Sequence, residues 1–195
     1  MTSAVVLVDG GFLRTVSRRA GRTYDPDFIE AFSASCVTRD ETLVRILYYD
    51  CAPYSGIVRK PISGDERRFA GSDSWMNVLA SKDLFAVRRG VLKFRGWQPK
   101  GRLSQPPVDD DYAPRFEQKG VDMRIGLDVA SYAFPRLVER IVLVSNDTDC
   151  VPALKLARKH GLQTVVIQPG GKAAAAELRY HADFVRDIAW PLPGA

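Results

Sequence analysis

The sequence predicts an α/β fold, a three-layer α/β/α arrangement in which helices cover both faces of a central, mainly parallel sheet. Short aliphatic runs alternate along the chain with segments of helical periodicity, which is the pattern of a parallel sheet. Runs such as AVVLVD at residues 4–9 are apolar at consecutive positions, as in strands buried on both faces. The 195 residues show no internal repeat and predict one domain over residues 1–190, with a tail at 191–195.

The N-terminal half predicts strands at 4–9 and 41–50 with a helix between them. Asp25 is expected to cap that helix and Pro26 to begin it, because aspartate is a preferred N-cap and proline fits the first helical position. The segment 64–82 is expected to be helical in part, since a Gly-Ser pair interrupts it.

The middle of the chain changes character twice. Residues 84–97 are β-rich, and Gly90 indicates a turn or bulge. The segment 98–118 contains four prolines and the acidic triplet 109–111, and it predicts a loop, disordered in part, with a solvated acidic run. Regular structure returns afterwards as a helix at 119–134, a strand at 140–147, a helix closed by Gly161, a strand at 163–169, a helix at 173–182 and a last strand or turn at 183–190.

The composition favours a cytoplasmic protein with a mild preference for polyanions. The chain has 28 Lys and Arg against 23 Asp and Glu, a net charge of +5. Its cysteines, Cys36, Cys51 and Cys150, lack the spacing of a zinc site or a disulfide framework. No run approaches the roughly 20 apolar residues of a membrane span.

Carboxylates follow two of the predicted strands. Asp9 ends the first strand, and Asp147 and Asp149 follow the aliphatic run VLV at residues 142–144. Sites in open parallel sheets lie beyond the carboxyl ends of the strands, so we expect these acids to meet. A structural alternative stays open, because Asp149 also suits the N-cap of the next helix and Asp9 suits an ordinary turn.

The helix at 119–134 brings two further acids. Asp122 shares a face with the apolar stripe, whereas Asp128 lies about 120° around the helix. Asp122 in a solvated first turn, or Asp128 paired with Arg124, would need no further function. Converging carboxylates repel by about 4 kcal/mol per pair at 4 Å and an effective dielectric of 20. Mg²⁺ or Mn²⁺, which prefer oxygen ligands, would relieve that repulsion.

The motifs VLVDGGFL, KGVDMRIGLDVASYA, IVLVSNDTDCVPALKLARKHG and LRYHADFVRDI, with RILYYDCAPY, together resemble the NYN domain proteins. The likeness is to the LabA-like (DUF88) branch of the PIN-like nuclease superfamily, and it covers about residues 3–188 in order. The resemblance implies a PIN-like, Rossmann-like sandwich and cleavage of single-stranded RNA with Mg²⁺ or Mn²⁺. It also implies that Asp9, Asp122 and Asp147 are catalytic metal ligands, supported by Asp128 and Asp149.

One position departs from the family pattern. Many relatives carry asparagine where this chain has Phe12, two residues before Arg14. Asn146 and Ser145 are the polar residues that would replace it. The departure favours the alternative function, an RNA-binding or scaffold protein that retains the fold without catalysis. A nucleotide-binding Rossmann domain is disfavoured, because VDGGFL lacks GxGxxG and places an acid at the pyrophosphate position.

Basic residues predict where single-stranded RNA binds. Between residues 84 and 104 there are six Lys and Arg and no acid, interleaved with aromatic residues. Trp97 is the candidate for base stacking, and Lys119 precedes the acidic helix. The full RNA-binding prediction is Arg14, Arg18, Arg88, Arg89, Lys93, Arg95, Trp97 and Lys119. The sequence leaves a homodimer open.

Overall fold

The computed structural model describes residues 1–192 and divides them into two compact units. The first unit contains residues 1–50, 74–88 and 121 onward, and the second contains 51–73 and 89–120. The elements in chain order are β1 (Thr2–Asp9), α1 (Gly10–Arg19), α2 (Pro26–Ser35), β2 (Glu41–Cys51), β3 (Ser55–Arg59), β4 (Glu66–Ala70), α3 (Ser74–Ala80), β5 (Phe85–Pro99), β6 (Tyr112–Lys119), α4 (Val121–Ala133), β7 (Arg140–Val144), α5 (Val151–Lys159), β8 (Gln163–Pro169), α6 (Ala176–Tyr180) and β9 (Phe184–Ile188).

A seven-stranded sheet organises the described residues, in the order β6-β5-β2-β1-β7-β8-β9. β1 pairs in parallel with β2 and β7, and the parallel pairing continues through β8 to β9. β5 and β6 are antiparallel. The predicted α/β class, with a central, mostly parallel sheet flanked by helices, is confirmed.

The centre of the first unit is buried on both faces of β1. Residues 4–8 are all 0% exposed, which confirms the inference from their continuous apolar run. Alternate positions, Ala4, Val6 and Val8, share one core with Leu13 of α1 and Phe32 of α2. The predicted cap of α2 is also confirmed, since the Asp25 carboxylate accepts a 2.8 Å hydrogen bond from the Phe28 amide.

A buried ion cluster joins the strands β2, β7 and β9. Glu41, at the start of β2, accepts hydrogen bonds from the guanidinium groups of Arg140 in β7 and Arg186 in β9. Burial by itself would raise the pKa of Glu41, but the bonds from Arg186, the Thr38 amide and Arg140 outweigh it and lower that pKa to about 2. Salt bridges from Glu41 therefore link β2 to β7 and to β9.

The second unit contains the β3–β4 hairpin and the antiparallel pairing of β5 with β6. Its interior is aromatic: Tyr54, Phe69, Phe94 and Phe116 pack with ring centroids 5.4–6.1 Å apart. These rings supply the apolar surface that the β3–β4 hairpin and the β5–β6 pair need in order to be stable.

The structure corrects the prediction for residues 64–82. Glu66–Ala70 form the strand β4, and only Ser74–Ala80 are helical. The strand forms because β3, which the sequence analysis did not predict, offers it an antiparallel partner. Helix α1 was also missed, although Asp9 caps it by accepting a 3.0 Å bond from the Phe12 amide.

The predicted loop at 98–118 is largely ordered by partners elsewhere in the second unit. Residues 98–99 end β5, and Tyr112–Lys119 form β6. Pro114 is accommodated because β6 is an edge strand and its pairing shifts register nearby. The acidic triplet is not simply solvated, since Asp111 accepts bonds from the Ser104 and Val108 amides and Asp109 accepts one from Ile62.

The predicted tail at 191–195 is described only as far as residue 192; residues 193–195 lie outside the described part. Across residues 1–192, no helix has the length and apolar character needed to cross a membrane.

Candidate metal centre

Three carboxylates of the first unit converge on one point. Asp122 lies in the first turn of α4, and Asp147 and Asp149 lie directly after β7. One carboxylate oxygen from each residue lies within 4.8 Å of the others. The sequence prediction that acids after the strands would meet the first acid of the helix therefore agrees with the geometry of these three residues.

A sharp turn of the chain after β7 positions the side chains of Asp147 and Asp149. Asp147 caps a short 3₁₀ turn, Thr148–Cys150, by accepting a 2.9 Å hydrogen bond from the Asp149 amide. The alternative left open by the sequence, Asp149 as the N-cap of α5, is wrong, because the N-cap of that helix is Cys150, without a side-chain hydrogen bond. The 3₁₀ turn precedes α5 and leaves the Asp149 side chain exposed beside Asp147.

Ser145 connects Asp9 to this group. Its buried hydroxyl donates a 3.1 Å hydrogen bond to Asp9 Oδ2 and accepts one of 3.1 Å from the Asp147 amide. A polar side chain from the end of β7 therefore contacts Asp9, where Phe12 offers none. Asn146 acts differently, because its side-chain oxygen accepts a 2.7 Å bond from the Ala175 amide.

The charges of these acids are poorly compensated. Burial raises the pKa of Asp9, against the hydrogen bonds from Phe12 and Ser145, and the charges of Asp122 and Asp50 raise it further. Burial also raises the pKa of Asp122, followed by the charges of Asp147 and Asp149. Within residues 1–192, Asp9, Asp122, Asp147 and Asp149 form no ion pair with a basic side chain. An all-oxygen set with uncompensated negative charge suits Mg²⁺ or Mn²⁺.

Cys150 lies beside the acids but does not share their chemistry. Its side chain is buried, and burial together with the charges of Asp147, Asp122 and Asp9 raises the pKa of the thiol to about 12. The sulfur is therefore a neutral thiol at pH 7, and a thiolate ligand is not expected from this residue.

Asp128 is held by other residues. Its carboxylate accepts a 2.8 Å hydrogen bond from the Tyr49 hydroxyl and a 2.9 Å bond from Arg88 Nε, with Arg88 Nη2 3.4 Å from the other oxygen. The ion pair with Arg88 neutralises the negative charge of Asp128, and a metal ligand would need that charge to bind a cation. The alternative pairing expected from the sequence, with Arg124, is replaced by the pairing with Arg88 from β5.

A buried acid that the sequence analysis did not single out lies at the end of β2. The Asp50 carboxylate is fully buried and forms a two-point ion pair with the Arg14 guanidinium. It also accepts a 3.1 Å bond from the Tyr48 hydroxyl, which lies 2.6 Å from the Tyr24 hydroxyl. The signal was available, since YYD ends a strand as VD does at residue 9.

This network fixes the turn that carries Asp9. The Tyr24 hydroxyl donates a 3.1 Å hydrogen bond to the Gly10 carbonyl oxygen. A methyl group on Gly10 would overlap the Tyr48 hydroxyl and ring, so glycine is required at the start of α1. The buried tyrosines and Asp50 therefore set the position of the first acid.

The RNA-binding residues predicted in the first unit are mostly engaged within the protein. Arg14 is bound to Asp50 and Arg88 to Asp128, as described above. Arg18 is exposed on α1. Arg88 is also partly exposed, with 41% of its side chain accessible, but its guanidinium is held by Asp128, whereas Arg18 is exposed and forms no salt bridge within the described residues.

The residues predicted in the second unit divide into two groups. Trp97 donates a 2.7 Å hydrogen bond to the Arg59 carbonyl oxygen and packs against Phe94, so its ring lies partly buried at the edge of the aromatic interior. Four basic side chains lie on the surface, two of them bound to Glu117 and one to Asp73 at 2.8 Å. These four are Arg89, Lys93, Arg95 and Lys119.

Comparisons with known proteins show which family this chain resembles in sequence. The sequence model of the NYN domain matches residues 73–189. The chain is similar to the uncharacterized protein MJ0482 of Methanocaldococcus jannaschii, at 26% identity over 89 residues. That alignment covers 45% of this chain and 36% of the relative, so the chain matches about a third of the relative's length.

A solved structure is similar over most of the chain. The crystal structure of VPA0982 from Vibrio parahaemolyticus, a protein of unknown function, matches with a TM-score of 0.55 and 17% identity. The match covers 96% of this chain and 93% of that chain. At this level of identity the likeness concerns the fold alone.

Proposed function

This chain belongs to the NYN domain family, and on that premise we propose that it is a metal-dependent endoribonuclease that cleaves single-stranded RNA. The order of its motifs favours the LabA-like branch of the PIN-like superfamily. Its three cysteines are buried and form no disulfide within residues 1–192, which suits the cytoplasm.

The observation that carries the proposal is the contrast between two kinds of acid in the first unit. Asp50 and Asp128 are each bound to an arginine. Asp122, Asp147 and Asp149 approach within 4.8 Å of one another and have no basic partner in the described residues. Asp122 and Asp149 are exposed, so water screens part of this repulsion, and a bound divalent cation would remove the rest.

The proposed ligands are Asp122, Asp147 and Asp149, with Asp9 completing the set. Asp128 is left out, because Arg88 and Tyr49 occupy its oxygens. The proposed ligands would hold Mg²⁺ or Mn²⁺, which when bound would supply Lewis-acid chemistry for phosphodiester hydrolysis. Ser145 orients Asp9 relative to Asp147 through its two hydrogen bonds, as outer partners of metal ligands do.

The proposal is tested by incubating labelled single-stranded RNA with the protein in Mg²⁺, Mn²⁺ or EDTA. Wild type is expected to cleave with either metal and not with EDTA. Asp147→Asn is expected to lose more than the roughly 100-fold that removal of an outer partner costs. Thermal melting in Mn²⁺ provides a second measurement, since a ligand that binds the native state raises Tm.

Asp128→Asn is the matched control for Asp147→Asn, because it makes the same chemical change to an acid of the first unit whose carboxylate is already bound by Arg88 and Tyr49. It is expected to keep metal-dependent cleavage and the Mn²⁺ shift in Tm, although it weakens the contact with Arg88. Equal loss in both variants would remove the assignment of ligands. RNA binding without cleavage under any metal condition would support the non-catalytic alternative.

A further inference from the structure

The exposed face of the β5–β6 pair is strongly basic. Along β5 the side chains alternate between exposed Val91, Lys93 and Arg95 and partly buried Leu92 and Phe94. Side chains two apart on a strand share a face, so the exposed residues form one row. Lys93 pairs in register with Glu117, which places Arg115 and Lys119 of β6 on that face. Its four cations, Lys93, Arg95, Arg115 and Lys119, are called here the basic ribbon face.

A bulge brings two of these cations together. The register shifts between Phe94 and Trp97, so that Arg95 and Gly96 lie opposite Arg115. Gly96 has φ +93°, a conformation that glycine adopts without strain. Like charges opposite each other on a sheet repel, and here Glu117 offsets Arg95, whereas Arg115 has no salt bridge within the described residues.

The second unit holds most of the net charge of the chain. Its residues include eleven Lys and Arg against seven Asp and Glu, so it carries +4 of the +5 total. On the basic ribbon face, Glu117 binds both Arg95 and Lys119, and these two cations lower the pKa of Glu117 to about 2. Lys93 and Arg115 form no ion pair within the described residues. The face therefore has an excess of three positive charges.

The opposite face is closed by aromatic packing. Phe94 and Phe116 lie 5.9 Å apart between ring centroids and contact Tyr54 and Phe69. Trp97 is fixed by its bond to the Arg59 carbonyl oxygen and by Arg67, whose guanidinium carbon lies 5.5 Å from the ring centroid. These rings are used within the second unit, so base stacking is not the recognition mode they favour.

We propose that the basic ribbon face binds the phosphate backbone of single-stranded RNA by charge, without reading the bases. The choice of RNA rests on the proposed function, and the binding mode rests on the ribbon. Same-face residues are spaced about 6.6 Å along each strand, with the partner strand about 5 Å away, so the four cations form a compact polycationic strip. A strip of this kind gives sequence-independent, salt-sensitive binding.

The test measures RNA binding without cleavage. Fluorescence anisotropy of labelled oligouridine is recorded in EDTA across a range of salt concentrations, with wild type, Lys93→Gln/Arg115→Gln and Lys155→Gln/Lys159→Gln. The second double variant is the matched control, because it removes two exposed charges from α5 in the first unit. Each lost phosphate contact lowers the slope of log K against log salt by about 0.7 for a single strand.

In the ribbon variant, the slope of log K against log salt is expected to be smaller in magnitude by about 1.4, because two phosphate contacts are lost. Over the tenfold range from 1 M to 0.1 M salt, this change corresponds to an affinity about 25-fold lower than that of wild type at 0.1 M. The control should bind like wild type, and oligoadenosine like oligouridine. Unchanged affinity in the ribbon variant, an equal loss in the control, or absence of wild-type binding at low salt would overturn the proposal. Binding that depends on the ribbon in a protein that does not cleave RNA would refute the nuclease function and leave the ribbon proposal standing.

Discussion

Gly10, the first residue of α1, has no room for a side chain, and Gly10→Ala is expected to destabilise the protein. The added methyl carbon would overlap the Tyr48 hydroxyl and lie 2.9 Å from the Tyr49 carbonyl oxygen. Tyr48 cannot easily move, because it is fully buried and hydrogen-bonded to Asp50 at 3.1 Å and to Tyr24 at 2.6 Å. Relief of the overlap therefore requires either a backbone shift or the loss of these bonds.

The expected magnitude follows from these contacts. Overpacking of a buried site costs about 1–3 kcal/mol, and a lost hydrogen bond to a charged group costs about 1.5–3 kcal/mol. The higher helix propensity of alanine relative to glycine offsets at most about 1 kcal/mol of this loss. Together these contributions predict a net loss of about 1.5–5 kcal/mol in the free energy of unfolding, or a fall in Tm of about 3–20 °C for a chain of this size.

Thermal and urea denaturation of Gly10→Ala and Gly126→Ala provide the assay. Gly126 lies within α4 and an added methyl group there meets no atom within 4 Å, so the same substitution is expected to stabilise by about 0.5–1 kcal/mol. The two substitutions should therefore change stability in opposite directions. A Gly10→Ala protein that melts like wild type would refute the claim that Tyr48 is rigidly held against Gly10.

Three further substitutions probe charge and positioning. Asp50→Asn leaves Arg14 without its buried partner and is expected to cost about 2–4 kcal/mol in urea denaturation, below the full buried-pair loss because Arg14 is 27% exposed. Because the pKa of Glu41 is lowered to about 2, its contribution to stability is complete above pH 5 and is lost as the pH falls towards 2. Glu41→Gln should lower the free energy of unfolding by roughly 3 kcal/mol at pH 7, and the free energy of unfolding should then depend less on pH between 5 and 2. Ser145→Ala should lower the rate of metal-dependent cleavage by roughly 10–100-fold, because Asp9 loses the hydrogen bond that orients it, with little change in RNA binding in EDTA. A loss of RNA binding instead would contradict a positioning role for Ser145.

Local patterns in the sequence were sufficient for much of the fold. The continuous apolar run of β1, the Asp25–Pro26 start of α2 and the glycine after α5 each act through neighbouring residues, and the structure agrees with all three. Strand β4 and most of β6 were not predicted because their order comes from pairing with β3 and β5. Pairing energy from another part of the chain overrides local propensity.

The sequence by itself determined which acids follow the strands, because strand ends and caps depend on a few adjacent residues. Only the tertiary structure decided which of them share a site. Asp122 meets Asp147 and Asp149, whereas Asp128 on the same helix is bound by Arg88 from β5. The difference is physical: the side on which a helical residue lies follows from its spacing, but the cation that neutralises it comes from a distant strand. Packing of the sheet and helices therefore sets which acids keep an uncompensated charge.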